Sequence, residues 1–599
     1  MIVRVLRSEQ TTVFLLGLLL TTYLVLRAIY TPMLHDEIAT FFYFIQPKDF
    51  LPPTAHWDAN NHVLNSFLSN LSFQLFGDAP WALRLPNVIL YPVYLFFSWK
   101  IASQIDAKTI RWTLFLSLVS TSYLFEYFAL CRGYGMSLGF MLWAFFLFIQ
   151  NKSNLTNKLL IIFISFLAVA ANLTLIYVYL MLVVLTLFQI LRDKSKSRAF
   201  RWSNASIIGL SSAILAIPLV YFSFELKAKG ALYYGGNSFI DFTVKPITHL
   251  VFGLDSTLFV LSLMFVTSII IAVSLWRLVK NFDNTLITKN LFTILLVGSV
   301  VAILMSHYLL RVNFPEDRTA MYLIPLFFLS IGFTLEQTKF NFSKLLALPL
   351  LIIPIKFISH IDVKNALFAI EERHIQEYFD YIEEQAKDEQ FKPNVGGYAT
   401  QSFCWYYMNY RSNGQQNAML YSTHPDTICD YQILNADTEL SEAFYKLYTK
   451  LNSTPSNKQN LFIRNNSLQR THLLTIENIT NWNHSNNAFF NLAELEIEHK
   501  WADKAFLIEI SGILHAPRKP FYATLTTSQK DADWNEISQE RSFLSWMRYD
   551  WSDDNQTFSQ RLILPKIDSN SAYLQVFLWN IKEQPYLLKD CTVQVYLLY

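Results

Sequence analysis

The stretch that decides the fold runs from Thr11 to Glu37: TTVFLLGLLLTTYLVLRAIY over residues 11–30, then TPMLHDE over residues 31–37. Its first part is an apolar run of about 20 residues, the length that crosses a bilayer core as a helix, and Arg4 and Arg7 precede it. The run is too long for a cleavable signal, and no small-residue cleavage site follows it. Just beyond its end stand His35, Asp36 and Glu37. Carboxylates at a membrane boundary are costly if they face lipid, about 2.5–3.5 kcal/mol each at full depth and less near the surface. The pair therefore either marks the water-facing end of a helix or lines a cavity as catalytic groups.

The rest of the chain bears on that choice. Its 599 residues are 52% hydrophobic and 16% aromatic, too many and too apolar for one soluble domain. The long apolar runs lie before about residue 360; beyond it the chain is rich in Asn, Gln, Ser and Thr, with no further run long enough to span. The expected organisation is an α-helical polytopic membrane domain over 1–360, a mixed α/β region over 361–480 and an antiparallel β-sandwich over 481–599. A formal net charge of +2 with no Lys/Arg-rich patch gives no sign of a nucleic-acid partner. Four cysteines are too few for a disulfide framework, although Cys404 and Cys429 could pair in an oxidising exterior.

Apolar runs fall near 11–30, 83–102, 112–130, 134–150, 159–172, 173–191, 204–223, 257–276, 291–310, 319–336 and 343–359, about eleven spans. Lys and Arg concentrate in one set of short connections: Lys100, Lys108 and Arg111; Lys152 and Lys158; Arg192 to Arg201; Arg277, Lys280 and Lys289; Lys339 and Lys344. These share a side with Arg4 and Arg7, and the positive-inside bias makes that side cytoplasmic. An odd span count then places the C-terminal domain outside, with His35, Asp36 and Glu37.

The outer connections hold more than linkers need. The first, about 31–82, carries His56-Trp57-Asp58 and Asn60-Asn61-His62. Val63 to Phe76 follows with apolar residues at helical spacing, expected to lie along the interface. Arg84, at the start of the second span, either snorkels to the surface or faces an anion. Glu126 and Arg132 flank the turn before Tyr134 and could simply pair with each other. The 224–256 loop offers Glu225, Lys227, Lys229, Tyr233-Tyr234-Gly235-Gly236 and His249; the last outer turn offers Arg311, Glu316, Asp317 and Arg318. Arginines from several spans thus reach one face, as an outward-facing anion site requires.

Taken together, these residues resemble the GT-C superfamily of membrane glycosyltransferases, specifically the protein O-mannosyltransferase and aminoarabinose-transferase type. The matching positions are His35-Asp36-Glu37 after the first span, Asn61-His62 with the helix that follows, and Phe76-Gly77-Asp78 through Trp81 and Arg84 to Pro86. Arg132-Gly133-Tyr134 and Pro315-Glu316-Asp317-Arg318 with Tyr322 and Pro325 also match. The resemblance covers roughly the first 340 residues and rests on the order and placement of motifs, none specific by itself. Asn172 departs from it, standing at a turn where relatives often carry a His or another polar residue. The resemblance implies a sugar donor carried on a polyprenyl phosphate and inverting transfer on the outer face. The setting would be a bacterial inner membrane, with a cytoplasmic N-terminus and a periplasmic C-terminal domain.

The same mechanism suits the residues on their own terms. A polyprenyl-phosphate leaving group needs charge stabilisation more than protonation, which arginines supply, and the acceptor hydroxyl needs one carboxylate base. Glycoside hydrolysis instead uses two carboxylates facing each other across the bond, and adjacent Asp36 and Glu37 in an extended loop point apart. Asp36 is the expected base, with Glu37 orienting it or the acceptor. Arg132 and Arg318, backed by Arg84 and Arg311, would hold the donor phosphate; Asn61, His62 and Tyr134 would meet the sugar or the acceptor, which could be lipid, glycan or protein. A divalent metal on His35, Asp36, Glu37, His56 and His62 is a competitor, but the spacing matches no zinc signature. A polytopic transporter or lipid flippase with an outer binding domain is the alternative from another class. Against it stand the lack of an inverted repeat and charges gathered on one face rather than at the midplane.

In the C-terminal part, Leu367, Ile370, Ile375, Tyr378, Phe379 and Ile382 follow the period of an amphipathic helix over about 364–390. From about 485 the period becomes two, as in Ala505 to Ser511, Tyr573 to Trp579 and Thr592 to Tyr596, which predicts short strands in a jelly-roll-like sandwich. Aromatic residues at such positions are more often core than sugar-binding.

Overall fold

The computed structural model describes residues 9–52, 54–280, 284–338, 341–368, 375–388, 392–397, 399–412, 420–421, 425–451, 459–480, 486–516, 521–544 and 556–599. Arg4, Arg7, Lys339 and Ile370, named above, lie outside these residues. The chain divides into two compact units: Met1–Thr31 with Tyr43–Phe368, and Pro32–Phe42 with Ala369–Tyr599. The short segment with His35, Asp36 and Glu37 thus groups with the C-terminal part of the chain.

In the first unit every apolar run is helical. The elements include Glu9–Tyr30, Pro80–Ala102, Lys108–Val119 with Ser122–Glu126, Gly133–Ile149, Leu155–Ala171, Ile176–Arg192, Arg198–Ala228, Thr257–Lys280, Leu291–Leu310 and Leu323–Glu336. Among the described residues, 6 helices are long and apolar enough to cross a membrane by length and composition. Others are shorter: the third run breaks at Ser120-Thr121, and the last is a 3₁₀ stretch, Asn341–Leu351, leading into the eight-residue helix Ile352–Ser359.

Burial on two helices of this unit is inverted relative to a protein in water. Helix Val63–Phe76 buries Asn65, Ser66, Ser69, Asn70 and Ser72, while Phe67, Leu71, Leu75 and Phe76 are exposed. Thr257–Lys280 exposes Leu258, Phe265 and Val279, the last at 85%. Water would drive such side chains inward by about 1.5–3 kcal/mol each; lipid, as apolar as leucine, does not. The buried polar groups meet each other. The Asn87 amide donates to Asn65 Oδ1 (2.6 Å), Met136 N donates to Asn87 Oδ1 (3.0 Å), and Ser69 Oγ donates to the Leu83 carbonyl (2.8 Å).

At the end of this unit, residues 364–368 are not helical, although their apolar spacing predicts a helix there. The Asp362 carboxylate accepts from the backbone N–H groups of Lys364 (2.8 Å) and Asn365 (3.1 Å), a local turn that competes with helix. The amphipathic helix itself is Ile375–Gln385, in the second unit.

The second unit holds thirteen described strands. Val395–Gly397 (β1), Leu420–Tyr421 (β2), Tyr431–Asn435 (β3), Tyr448–Lys450 (β4) and Gln459–Arg464 (β5) form one sheet in the order β2-β1-β3-β5-β4, parallel where β1 meets β2 and β3 and antiparallel elsewhere. Arg470–Ile479 (β6), Phe489–Glu496 (β7), Ala505–His515 (β8), Ala523–Lys530 (β9), Glu536–Phe543 (β10), Gln556–Leu564 (β11), Tyr573–Asn580 (β12) and Leu587–Leu598 (β13) form two antiparallel sheets, β10-β9-β12-β7 and β11-β8-β13-β6. Eight strands interleaved in this order make a jelly roll. It begins at Arg470, ahead of the boundary at 481.

Period two explains its core. Phe506, Ile508 and Ile510 of β8 join Leu525, Leu574, Val576, Val593 and Val595 in one buried cluster. On the other face of β8, Ala505 and Leu507 pack with Cys429, Leu468 and Leu598. Strand β8 is therefore covered on both faces, which is why its sequence is nearly continuously apolar. All four cysteines are buried free thiols, so the Cys404–Cys429 pair is not formed. Each of these two thiols serves a different local contact: Cys404 Sγ lies 3.7 Å from the Met33 carbonyl, and Cys429 Sγ lies 3.6 Å from Asp426 Oδ2.

Candidate active site

In the first unit, Arg132 is the N-cap residue of Gly133–Ile149. Gly133 decides its position: a Cβ there would lie 1.9 Å from the Ala171 carbonyl oxygen and 2.8 Å from His62 Cβ, so only glycine lets this helix start against the Ala171-Asn172 turn. His62 Nδ1 is 2.9 Å from the same carbonyl, and since a carbonyl only accepts, Nδ1 carries the proton. The His62 ring meets Tyr134 edge-on at 4.5 Å, Tyr134 meets Tyr127 at 5.2 Å, and Tyr127 meets Tyr123 at 5.3 Å. The Arg132 guanidinium lies over the Tyr134 ring at 5.5 Å. Asn61 is used locally: its amide donates to the Phe50 carbonyl (3.1 Å), and Oδ1 accepts from Ser66 Oγ (3.3 Å).

A second group of residues gathers around Phe314 and Arg318. Gly235, at φ +96°, has the Phe314 carbonyl oxygen where a Cβ would stand, 2.0 Å away, and Gly236 pairs with Phe314 as an antiparallel bridge. This pins the 224–256 loop to the turn that follows Leu291–Leu310. Tyr234 Oη then donates to Asp317 Oδ2 (3.3 Å), and the Arg318 guanidinium lies over the Tyr234 ring at 4.5 Å. Burial, then the Asp317 charge, pushes the Glu316 carboxyl above its usual range, with Arg318 opposing. Two arginines far apart in sequence thus each lie over a tyrosine ring, Arg132 over Tyr134 and Arg318 over Tyr234.

Other expected site residues are placed differently. Arg84 is fully buried, its Nη1 donating to the carbonyls of Ala28 (3.2 Å) and Thr31 (2.6 Å). It neither snorkels nor faces solvent; it closes the C-terminal end of the first helix, where carbonyls lack helical partners. Arg311 is the exposed C-cap of Leu291–Leu310. Glu126 is engaged by Arg27 of the first helix at 3.2 Å, both buried, and Glu126 Oε1 also accepts from Leu367 N (2.8 Å). Arg27 also donates to the Asp362 carbonyl. A cation inside an apolar run was the signal for this pair. Asn172 Oδ1 caps the short Leu173–Leu175 helix, accepting from Thr174 N and Oγ1.

In the second unit, His35–Thr40 is a short helix rather than an extended loop. Glu37 is fully buried, and its Oε2 accepts from Leu34 N (3.0 Å), so this carboxylate caps its own helix. Asp36 is half-buried. Neighbouring helical residues do not face each other, so the two carboxylates still point apart. The segment packs on helix Ala399–Arg411: His35 meets Phe403 at 4.7 Å, and Phe41 meets Tyr407 at 5.7 Å and Tyr410 at 5.5 Å. Among the described residues, no group of three or more His, Cys, Asp and Glu could hold a metal ion.

No family model and no curated protein matches the chain. In fold it is similar to ArnT from Cupriavidus metallidurans in the apo state, at TM-score 0.42 and 11% identity, covering 76% of this chain and 98% of that one. It is also similar to the Archaeoglobus fulgidus oligosaccharyltransferase in complex with Zn and sulfate, at TM-score 0.40 and 8% identity, covering 96% of each chain. The arabinofuranosyltransferase AftD from Mycobacteria is similar at TM-score 0.37 and 8% identity, covering 98% of this chain and 61% of that one.

Proposed function

We propose that the chain is a GT-C-type integral membrane glycosyltransferase that moves a sugar from a polyprenyl-phosphate donor to a hydroxyl acceptor on the outer, periplasmic face, with inversion. The observation that carries this reading is that Arg132 and Arg318, far apart in sequence, each lie over a tyrosine ring, Arg132 over Tyr134 and Arg318 over Tyr234. Guanidinium groups set against aromatic rings suit a phosphate at the head of an apolar chain. In the reaction the acceptor oxygen attacks the anomeric carbon, the bond from that carbon to the phosphate oxygen breaks, and the acceptor proton passes to Asp36. Lipid phosphate leaves as an anion that needs arginines rather than an acid. Glu37, spent as a helix cap, supports Asp36 by holding its backbone. Arg311 reinforces the positive face, and Arg84 positions the first helix.

Incubating the purified protein with a polyprenyl-phosphate sugar and following free lipid phosphate tests this reading. Arg318→Gln should lower turnover by about 100-fold, the scale of one lost stabilising donor. Turnover unaffected by Arg318→Gln and Arg132→Gln would remove the arginine site from the mechanism. A transporter would release no lipid phosphate at all.

A further inference from the structure

At the opposite ends of three helices lies a cavity of about 200 Å³, several times the roughly 30 Å³ share of one water. Its walls come from the start of Leu155–Ala171, the end of Ile176–Arg192 and the start of Arg198–Ala228, and include Lys158, Gln189, Asp193, Lys196, Arg201 and Asn204. We propose that this pocket binds a phosphate-bearing anion, either the headgroup of a membrane lipid or free phosphate.

Three features of the donor set point there. Lys158 is 3% exposed, and its Nζ donates to Gln189 Oε1 at 2.5 Å. Because an ammonium only donates, that contact fixes the amide: the carbonyl oxygen faces Lys158 and the NH₂ group faces elsewhere. Gln189 is itself 3% exposed, and its Nε2 has no acceptor; Nε of Arg201 is likewise buried without one. Each buried donor left unmet costs about 1–3 kcal/mol. The one acid in the wall is already engaged, since Asp193 Oδ1 accepts from Ser195 N (3.0 Å) and Ser195 Oγ (2.6 Å). Lys158, Lys196 and Arg201 thus outnumber the one carboxylate in the wall and leave it net positive. An oxyanion in the pocket would meet the ammonium, the amide NH₂ and the guanidinium N–H together, with charge-assisted bonds.

The pocket also lies among the Lys/Arg-rich connections, where acidic headgroups gather beside a membrane and basic clefts between helices take them. It is separate from the Tyr123–Tyr127–Tyr134 ladder, and its occupancy does not depend on what reaction that ladder serves.

The test uses the full-length protein in phosphatidylcholine nanodiscs, with short-chain phosphatidic acid and inorganic phosphate as probes. Wild type should bind phosphatidic acid, and Lys158→Met and Arg201→Gln should each weaken it by about tenfold or more, the effect of one lost charge-assisted hydrogen bond. Lys100→Met, a cation in another connection on that side, should leave it unchanged. If inorganic phosphate competes at equal affinity, the ligand is a soluble anion; if it does not, the ligand is a lipid headgroup. Either result supports the pocket. Binding that Lys158→Met and Arg201→Gln leave intact, or that Lys100→Met weakens as much, would overturn it. Should Lys158→Met fail to fold, Arg201→Gln and Gln189→Leu test the pocket by the same criteria.

Discussion

The helical unit and the jelly roll solve opposite solvent problems with the same residue types. In the jelly roll, Phe506, Ile508, Leu525 and Val593 are fully buried, and exposed strand positions carry Thr471, Glu477, Glu494 and Glu536. In the helical unit Leu258, Phe265, Val279 and Leu75 point outward, while Arg27, Arg84, Asn65 and Asn87 lie inside. Hydrophobic burial orders the first arrangement. Hydrogen bonds and a buried ion pair between otherwise apolar helices order the second, because lipid gives leucine no reason to hide. Amphipathy is thus no guide to the inside of a chain until its solvent is known.

Four substitutions or titrations would break or sharpen that contrast. The largest effect is expected at Glu126. Glu126→Ala strands Arg27 in the interior and should cost about 3–5 kcal/mol, read as a fall in Tm of the detergent-solubilised protein; the double change Arg27→Met with Glu126→Leu should recover most of it. A small loss in the single variant would mean the pair is hydrated.

Next comes a charge placed outward in each unit. Phe265→Asp should cost about 2.5–3.5 kcal/mol of membrane insertion, measured as lost membrane-fraction yield. Ile581→Asp, at an exposed turn beyond β12, should change stability by no more than about 0.5 kcal/mol. Equal effects at both sites would deny that Thr257–Lys280 faces lipid.

Gly235→Ala tests whether the 224–256 loop is pinned to the turn that follows Leu291–Leu310. It adds a Cβ at positive φ against the Phe314 carbonyl and should cost about 1–3 kcal/mol. The readout is faster proteolysis within 229–238, together with weaker donor binding through Tyr234 and Arg318.

The smallest effect is a pH dependence in the second unit. Burial raises the Asp426 carboxyl above its ordinary value of 3.8, against hydrogen bonds from Ile428, Cys429 and Gln432. The folded state therefore holds the proton more tightly than the unfolded chain. The stability this gives is complete below the ordinary carboxylate range and is lost as pH rises through the folded value. Melting of wild type should weaken across that window, and Asp426→Asn should flatten the slope; an unchanged slope would assign it to other groups.

Much of this was legible because it is periodic. Runs of leucine and phenylalanine mark helices whatever their neighbours do, and alternation marks β12 and β13 just as locally. Arg132 and Arg318 drew notice as candidates because charges at helix ends stand out against apolar sequence. What escaped depends on contacts between distant residues. Nothing near His35 announces Phe403, and nothing near Phe41 announces Tyr407 and Tyr410. Residues 364–368 have helical spacing, yet the Asp362 turn takes the backbone elsewhere. Arg84 looked available to an anion because its sequence gives no hint that the carbonyls of Ala28 and Thr31 lie within reach.

The central claim is that one carboxylate suffices to move the sugar. The direct measurement is release of free lipid phosphate from a purified polyprenyl-phosphate sugar by Asp36→Asn, compared with wild type and with Glu37→Gln in the same detergent. Asp36→Asn should lose turnover by about 100-fold or more, with donor binding and Tm retained, and Glu37→Gln should show a fall in Tm with partial turnover. Full turnover in Asp36→Asn would contradict that claim.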